Sequence, residues 1–231
     1  MDLILGLQKL TLLDYPGQTA CTLFTGGCNF RCPYCQNSSL VLTPEEVEPY
    51  SWDEIIGFLN RRKGLLDGVC ITGGEPLLHP QIDSLIQTIH SMGFMVKLDT
   101  NGSYPDHLKD LVRSGCVDYV AMDIKNSPQN YGRTIGIPEY DLAAVQESVR
   151  YLLSAPVEYE FRTTVVREYH QPADFVAISL WIKGARRYFL QAFVDSGDLI
   201  SPGLHGYDRT EMENFAALVH PLVPSVQLRG I

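Results

Sequence analysis

Residues 19–35 decide the fold. They read Thr19-Ala-Cys-Thr-Leu-Phe-Thr25, then Gly26-Gly27, then Cys28-Asn-Phe-Arg-Cys32-Pro-Tyr-Cys35. The first seven predict a short buried strand, the glycine pair breaks it, and a loop follows with cysteines spaced C-x3-C-x2-C. One loop with that spacing can turn three thiolates onto a single inorganic centre. Three is an unusual number: a structural zinc site closes with four ligands, and a four-iron cluster usually takes four cysteines. Three cysteines on such a cluster leave one iron open to a substrate or cofactor. Half of a zinc site completed by a remote residue, and three plain buried thiols, are the competing readings. A disulfide framework belongs to small secreted chains and does not suit one of 231 residues.

Outward from this stretch the chain alternates. Trp52, Ile55, Ile56 and Leu59 fall at i, i+3, i+4 and i+7 and predict an amphipathic helix. Ser51 is placed as its N-cap and Glu54 completes a capping box. Helical spacing recurs in Ile82/Leu85/Ile86/Ile89, Leu108/Leu111/Val112, Leu142/Val145/Val149/Leu152, Phe175/Ile178/Ile182 and Met212/Phe215/Ala216/Val219. Between these runs, residues 68–72, 94–99, 118–124, 159–166 and 188–194 read as strands, with a last short one at 225–229. Six strand–helix units in series imply an α/β fold: an incomplete (βα)6 TIM-like barrel of parallel strands with helices outside. One domain spanning 1–231 is expected, with 1–18 as an N-terminal strand or hairpin extension. Ligands in such folds collect beyond the C-terminal ends of the strands.

Composition excludes some classes. A net charge of −9 argues against general nucleic-acid binding. No run of about 18 apolar residues is present, so no membrane-spanning helix is expected. The N-terminus does not read as a signal peptide, having no basic region before its apolar residues and no small-residue cleavage site, so the cysteines are expected in reducing cytoplasm.

At the strand ends stand Gly73-Gly74-Glu75 after the second strand, Asp99-Thr100-Asn101-Gly102 after the third and Asp123-Ile124-Lys125 at the fourth. Singly these are weak signals. A Gly-Gly-Glu is ordinarily a turn, an Asn-Gly pair is a turn with Asp99 as a local cap, and Asp123 with Lys125 is a solvated strand end. Spaced by two, Asp123 and Lys125 share one face of an extended chain. Further inward-facing candidates are Arg162 and Gln191 on the later strands.

Together, the cysteine triad and the Gly-Gly-Glu one strand later resemble the radical S-adenosylmethionine (SAM) superfamily. The "DTNG" and "DIK" segments narrow this to its glycyl-radical-enzyme activases. The pieces "GLQKLTLLDYPG", "FTGGCNFRCPYC", "FRTTVV" and "LRG" are similar to the activases of anaerobic ribonucleoside-triphosphate reductase. The resemblance implies one [4Fe–4S] cluster on Cys28, Cys32 and Cys35. It implies SAM held by Gly73, Gly74, Glu75, Asp99, Thr100, Asp123 and Lys125, with Arg162 and Gln191 in reach, and a monovalent cation assisting at the aspartates. It also implies reductive cleavage of SAM to a 5′-deoxyadenosyl radical that takes a hydrogen atom from a glycine of a partner enzyme. Residues 36–69 carry no cysteine, so a ferredoxin-like insertion is absent and the electron is expected from an external flavodoxin or ferredoxin. One departure stands out: Gln36 follows the third cysteine where activases usually have His. Cys21, Cys70 and Cys116 are too scattered for a second cluster and read as buried thiols. Two alternatives remain at this level: a radical SAM enzyme acting on a small molecule such as a deazapurine precursor, and a non-catalytic metal or electron-transfer module.

Overall fold

The computed structural model describes residues 3–231; residues 1 and 2 of the expected N-terminal extension lie outside the described residues. Strand β1 (Ile4–Thr11) turns at Tyr15-Pro-Gly and returns antiparallel as β2 (Ala20–Thr25). The chain continues through α1 (Ser38–Leu42), α2 (Trp52–Arg62), β3 (Gly68–Gly73), α3 (Ile82–Ser91), β4 (Met95–Thr100), α4 (Pro105–Arg113) and β5 (Tyr119–Asp123). It ends with α5 (Tyr131–Thr134), α6 (Ala143–Leu153), β6 (Glu158–Val165), α7 (Pro172–Trp181), β7 (Tyr188–Ala192), α8 (Arg209–Val219) and β8 (Val226–Arg229). Hydrogen-bonded strand order follows chain order from β1 to β8. β2–β3–β4 and β6–β7–β8 pair in parallel, as strands joined by helical crossovers must. Each strand from β2 to β7 is followed by a helix, so the expected α/β class with a parallel-strand sheet is the one observed.

Local sequence accounts for the elements. Ser51 Oγ accepts from the Glu54 N–H at 3.3 Å and Glu54 Oε2 accepts from the Ser51 N–H at 2.8 Å, which closes the expected capping box on α2. α3 buries the four residues whose spacing announced it, Ile82, Leu85, Ile86 and Ile89. Asp208 and Glu211 cap α8 in the same reciprocal way.

The residues group into two compact units. The first comprises residues up to Asn29, Ser39–Thr100 and Asp106–Val120; the second comprises Phe30–Ser38, Asn101–Pro105 and Ala121–Ile231. In the first, Cys21, Leu23, Val69, Ile71, Val96 and Leu98 alternate along β2, β3 and β4 and are fully buried. The opposite face is covered too: Ala20 and Cys70 pack with Tyr15 and Tyr119. Burial on both faces is the signature of a parallel sheet. In the second unit, Phe175 of α7 stacks on Phe215 of α8 at 4.4 Å between ring centroids. A bidentate pair, Arg229 to Glu160 at 2.8 and 2.9 Å, ties β8 to β6.

Candidate functional site

In the first unit the ends of β2 and β3 are joined through backbone. The Gly74 N–H donates to Thr25 O at 2.9 Å, and the Glu75 N–H donates to Gly27 O at 2.9 Å. Gly73 sits at φ +111°, and a Cβ on Gly74 would lie 1.7 Å from Gly27 O. Glycine is therefore required at both positions by chain packing. Glu75 is 1% exposed. Its Oε1 accepts from the Leu77 N–H at 3.1 Å and from Thr100 Oγ1 at 2.8 Å, so the structure brings Glu75 and Thr100 together. Asp99 is paired with the ammonium of Lys97, two residues back on β4.

In the second unit Asp123, Lys125 and Arg162 converge. Lys125 Nζ lies 2.9 Å from Asp123 Oδ2, and Arg162 Nε lies 2.9 Å from Asp123 Oδ1. Burial works against a charge on Asp123, but Arg162 and then Lys125 outweigh it and hold its pKa down to about 2. Burial likewise opposes the charge on Lys125, yet Asp123, Cys32 and Tyr34 raise its pKa well above the usual lysine value. Gln191, on β7, is half-buried and in register with Thr164 and Arg229.

The support beneath Lys125 was not anticipated from sequence. His170 Nε2 lies 2.9 Å from Lys125 O, and its Nδ1 lies 3.1 Å from the Val166 N–H and 3.2 Å from Val166 O. Burial lowers the His170 pKa, against the opposing pull of its bonds to the Lys125 and Val166 carbonyls. Asn126 Nδ2 donates to Thr134 Oγ1 and Tyr169 O at 2.8 and 2.9 Å. Ser127 Oγ and Asn130 Nδ2 both donate to Asp174 Oδ1, at 2.6 and 2.7 Å. The readable signal was Asp174 at the start of α7, where its carboxylate also accepts from the Gln171 N–H at 2.9 Å. Lys97 was overlooked as well, although its spacing of two from Asp99 repeats that of Lys125 and Asp123.

None of the six cysteines forms a disulfide; Cys32 is buried and Cys28 and Cys35 are half-buried. Cys21 and Cys70 are buried as expected, whereas Cys116 is half-buried. Residues 30–38 are held from two sides within the second unit. The Arg31 N–H donates to Ile135 O at 2.9 Å, and Gly136, at φ +74°, has no room for a Cβ, which would meet Arg31 O at 2.4 Å. On the other side the Ser201 N–H donates to Pro33 O at 2.9 Å and Gln36 Nε2 donates to Val194 O at 2.6 Å.

Among the described residues no group of three or more His, Cys, Asp or Glu side chains is arranged to hold a single metal ion. The fit of an iron–sulfur cluster rests instead on the donor set, since three thiols without disulfides are the soft ligands such clusters take. A second observation points the same way. The Tyr34 hydroxyl is buried with no hydrogen-bond partner, within electrostatic reach of Cys32, Lys125 and Asp123. Buried polar groups are ordinarily satisfied, and a polar ligand at this place would complete it. The residues thus fit a cluster and a charged cofactor. They do not fit the monovalent cation, because Asp99 already holds Lys97 and Asp123 already holds Lys125 and Arg162.

The sheet runs in chain order, with thiols in the loop after β2 and charge pairs at the ends of β4 and β5. Residues 22–177 match the family model described as the Radical SAM superfamily, and the chain belongs to that superfamily. It is 31% identical over 201 residues, 83% of this chain and 80% of the other, to a protein of Methanocaldococcus jannaschii provisionally named a glycyl-radical enzyme activating enzyme. It is 25% identical over 174 residues, 75% of this chain and 79% of the other, to 7-carboxy-7-deazaguanine synthase of Thermoplasma acidophilum. The crystal structure of QueE from Escherichia coli shares the fold, with a TM-score of 0.58 and 16% identity over 99% of this chain and 94% of that one. Among the described residues no helix is long and apolar enough to cross a membrane.

Proposed function

We propose that the chain is a glycyl-radical-enzyme activase whose partner is an anaerobic ribonucleoside-triphosphate reductase. The observation that carries the activase reading is the 31% identity, over four-fifths of both chains, to a protein provisionally named a glycyl-radical enzyme activating enzyme; the choice of reductase rests on the resemblance of the sequence segments. Cys28, Cys32 and Cys35 would hold a [4Fe–4S] cluster. Gly73, Gly74, Glu75, Asp99, Thr100, Asp123 and Lys125 would hold SAM, with Arg162 and Gln191 beside them. When bound, the two cofactors supply a 5′-deoxyadenosyl radical through one-electron cleavage of the sulfonium C–S bond. The protein's own part is binding and orientation. Lys125 is a point charge suited to the carboxylate of SAM, aimed by Asp123 and by the His170 bond to its carbonyl. Glu75, held by Thr100, is an acceptor suited to the amino group. The electron comes from an external flavodoxin or ferredoxin, and an oxygen-sensitive cluster suits the cytoplasm.

The likeness to a deazaguanine synthase over three-quarters of both chains favours a second reading, a radical SAM enzyme acting on a small molecule. Isotope transfer separates the two. Reduced protein is mixed anaerobically with SAM and a reductase carrying α-deuterated glycine. Deuterium is expected in the 5′-deoxyadenosine. Turnover of SAM with no deuterium transfer from any glycyl-radical enzyme of the same organism would hand the case to the small-molecule reading.

A further inference from the structure

Lys97 is 0% exposed. It lies mid-strand in β4, in register with Cys70 of β3, which is in register with Thr22 of β2. Alternation puts these three side chains in one row. Cys70 in turn packs in an apolar cluster with Tyr15, Ala20 and Tyr119. An ammonium in such a place is heavily penalised unless paired, and a methionine would fill the same volume without that penalty. The pairing is with Asp99, one row further towards the end of the strand, whose side chain is 12% exposed against 1% for that of Lys97. The charge is thus buried on one side and presents a single carboxylate on the other.

We infer that the Lys97 ammonium is the built-in counter-cation of Asp99, positioning that carboxylate for SAM without an exchangeable metal ion. The inference rests on the reading of Asp99 as a SAM contact. It departs from the monovalent cation that the sequence resemblance implies, because the place of that ion is taken by a side chain. Lys97 acts through Asp99 and is a positioning residue.

The test uses the full chain with Lys97→Met, and with Lys97→Met/Asp99→Asn, which removes both charges. Unfolding is followed without SAM, and SAM affinity is measured by equilibrium dialysis on the reconstituted protein. Each is done in tetramethylammonium, potassium and ammonium chloride at equal ionic strength. The unaltered protein should be indifferent to the choice of cation in both measurements. Lys97→Met should unfold about 10 °C lower in tetramethylammonium, the cost of removing the cation paired with a largely buried carboxylate, and recover in potassium or ammonium; the double variant should lose that dependence. SAM affinity of Lys97→Met should fall about tenfold in tetramethylammonium and be rescued severalfold by ammonium, which a merely structural role would not allow. If Lys97→Met does not fold but the double variant does, the pairing is supported; if neither folds, Lys97 is structural and the inference is overturned. It is also overturned if Lys97→Met matches the unaltered protein in every salt, or if the unaltered protein loses SAM affinity when potassium is withdrawn. If the cation-dependent unfolding appears but the unaltered protein binds no SAM, the counter-cation assignment stands and the SAM reading of Asp99 falls.

Discussion

Gly74 carries two demands that sequence alone could not separate. The glycines before Glu75 suggest room for a ligand, but the structure shows that the Gly27 carbonyl already occupies the place of a Gly74 Cβ. Gly74→Ala should therefore lower stability by about 3 kcal/mol, read as a fall in urea midpoint even without cofactor. Asp123 and Lys125 were legible because spacing by two puts them on one face. Lys97 and Asp99 share that spacing, yet a lysine amid apolar strand residues reads as a surface residue until its burial is seen. The pKa of Asp123 is depressed to about 2, so its contribution to stability is complete above about pH 4, where an unfolded aspartate is ionised. That contribution is lost as pH falls towards 2. Asp123→Asn should accordingly flatten the acid limb of the stability curve between pH 4 and 2, and an unchanged limb would contradict the ion-pair account. Lys125→Ala should weaken SAM binding by roughly ten- to a hundredfold while iron content stays at about four per chain. Cys32→Ala should lose the iron and Cys70→Ala should keep it.

At the scale of elements, helices with a full apolar repeat were legible because most of the repeat is their buried face, although α4, α7 and α8 each begin three residues before the first residue of the repeat. α1 and α5, five and four residues long, and the short turns Pro44–Glu46 and Pro76–Leu78 were not; none is long enough to show a period. The connection after β5 was equally hidden. Its order comes from Asn126, Ser127 and Asn130 bonding Thr134 and Asp174, contacts across up to 47 residues of chain. Asp174→Ala would strand the Ser127 and Asn130 donors and uncap α7. It should cost about 3 kcal/mol and, by loosening the segment that carries Lys125, also weaken SAM binding. Ser51→Ala, a cap on α2 remote in sequence from every proposed SAM contact, should cost about 1 kcal/mol and leave SAM affinity unchanged. Equal effects of the two substitutions on SAM affinity would remove the role given to the Asp174 network.

For the molecule as a whole, regular alternation of strand and helix made the parallel sheet and its order readable, since a crossover between parallel strands leaves few other arrangements. The partner was not readable in the same way: the strand-end motifs narrow the resemblance to the activases through residues proposed to hold SAM, not through any contact with the substrate. Electron paramagnetic resonance addresses that most directly. Anaerobic protein with its cluster reduced is mixed with SAM and the anaerobic ribonucleotide reductase of the same organism. The account predicts a glycyl-type doublet on the reductase, lost when its radical-bearing glycine is replaced by alanine. SAM consumed with no doublet would contradict it.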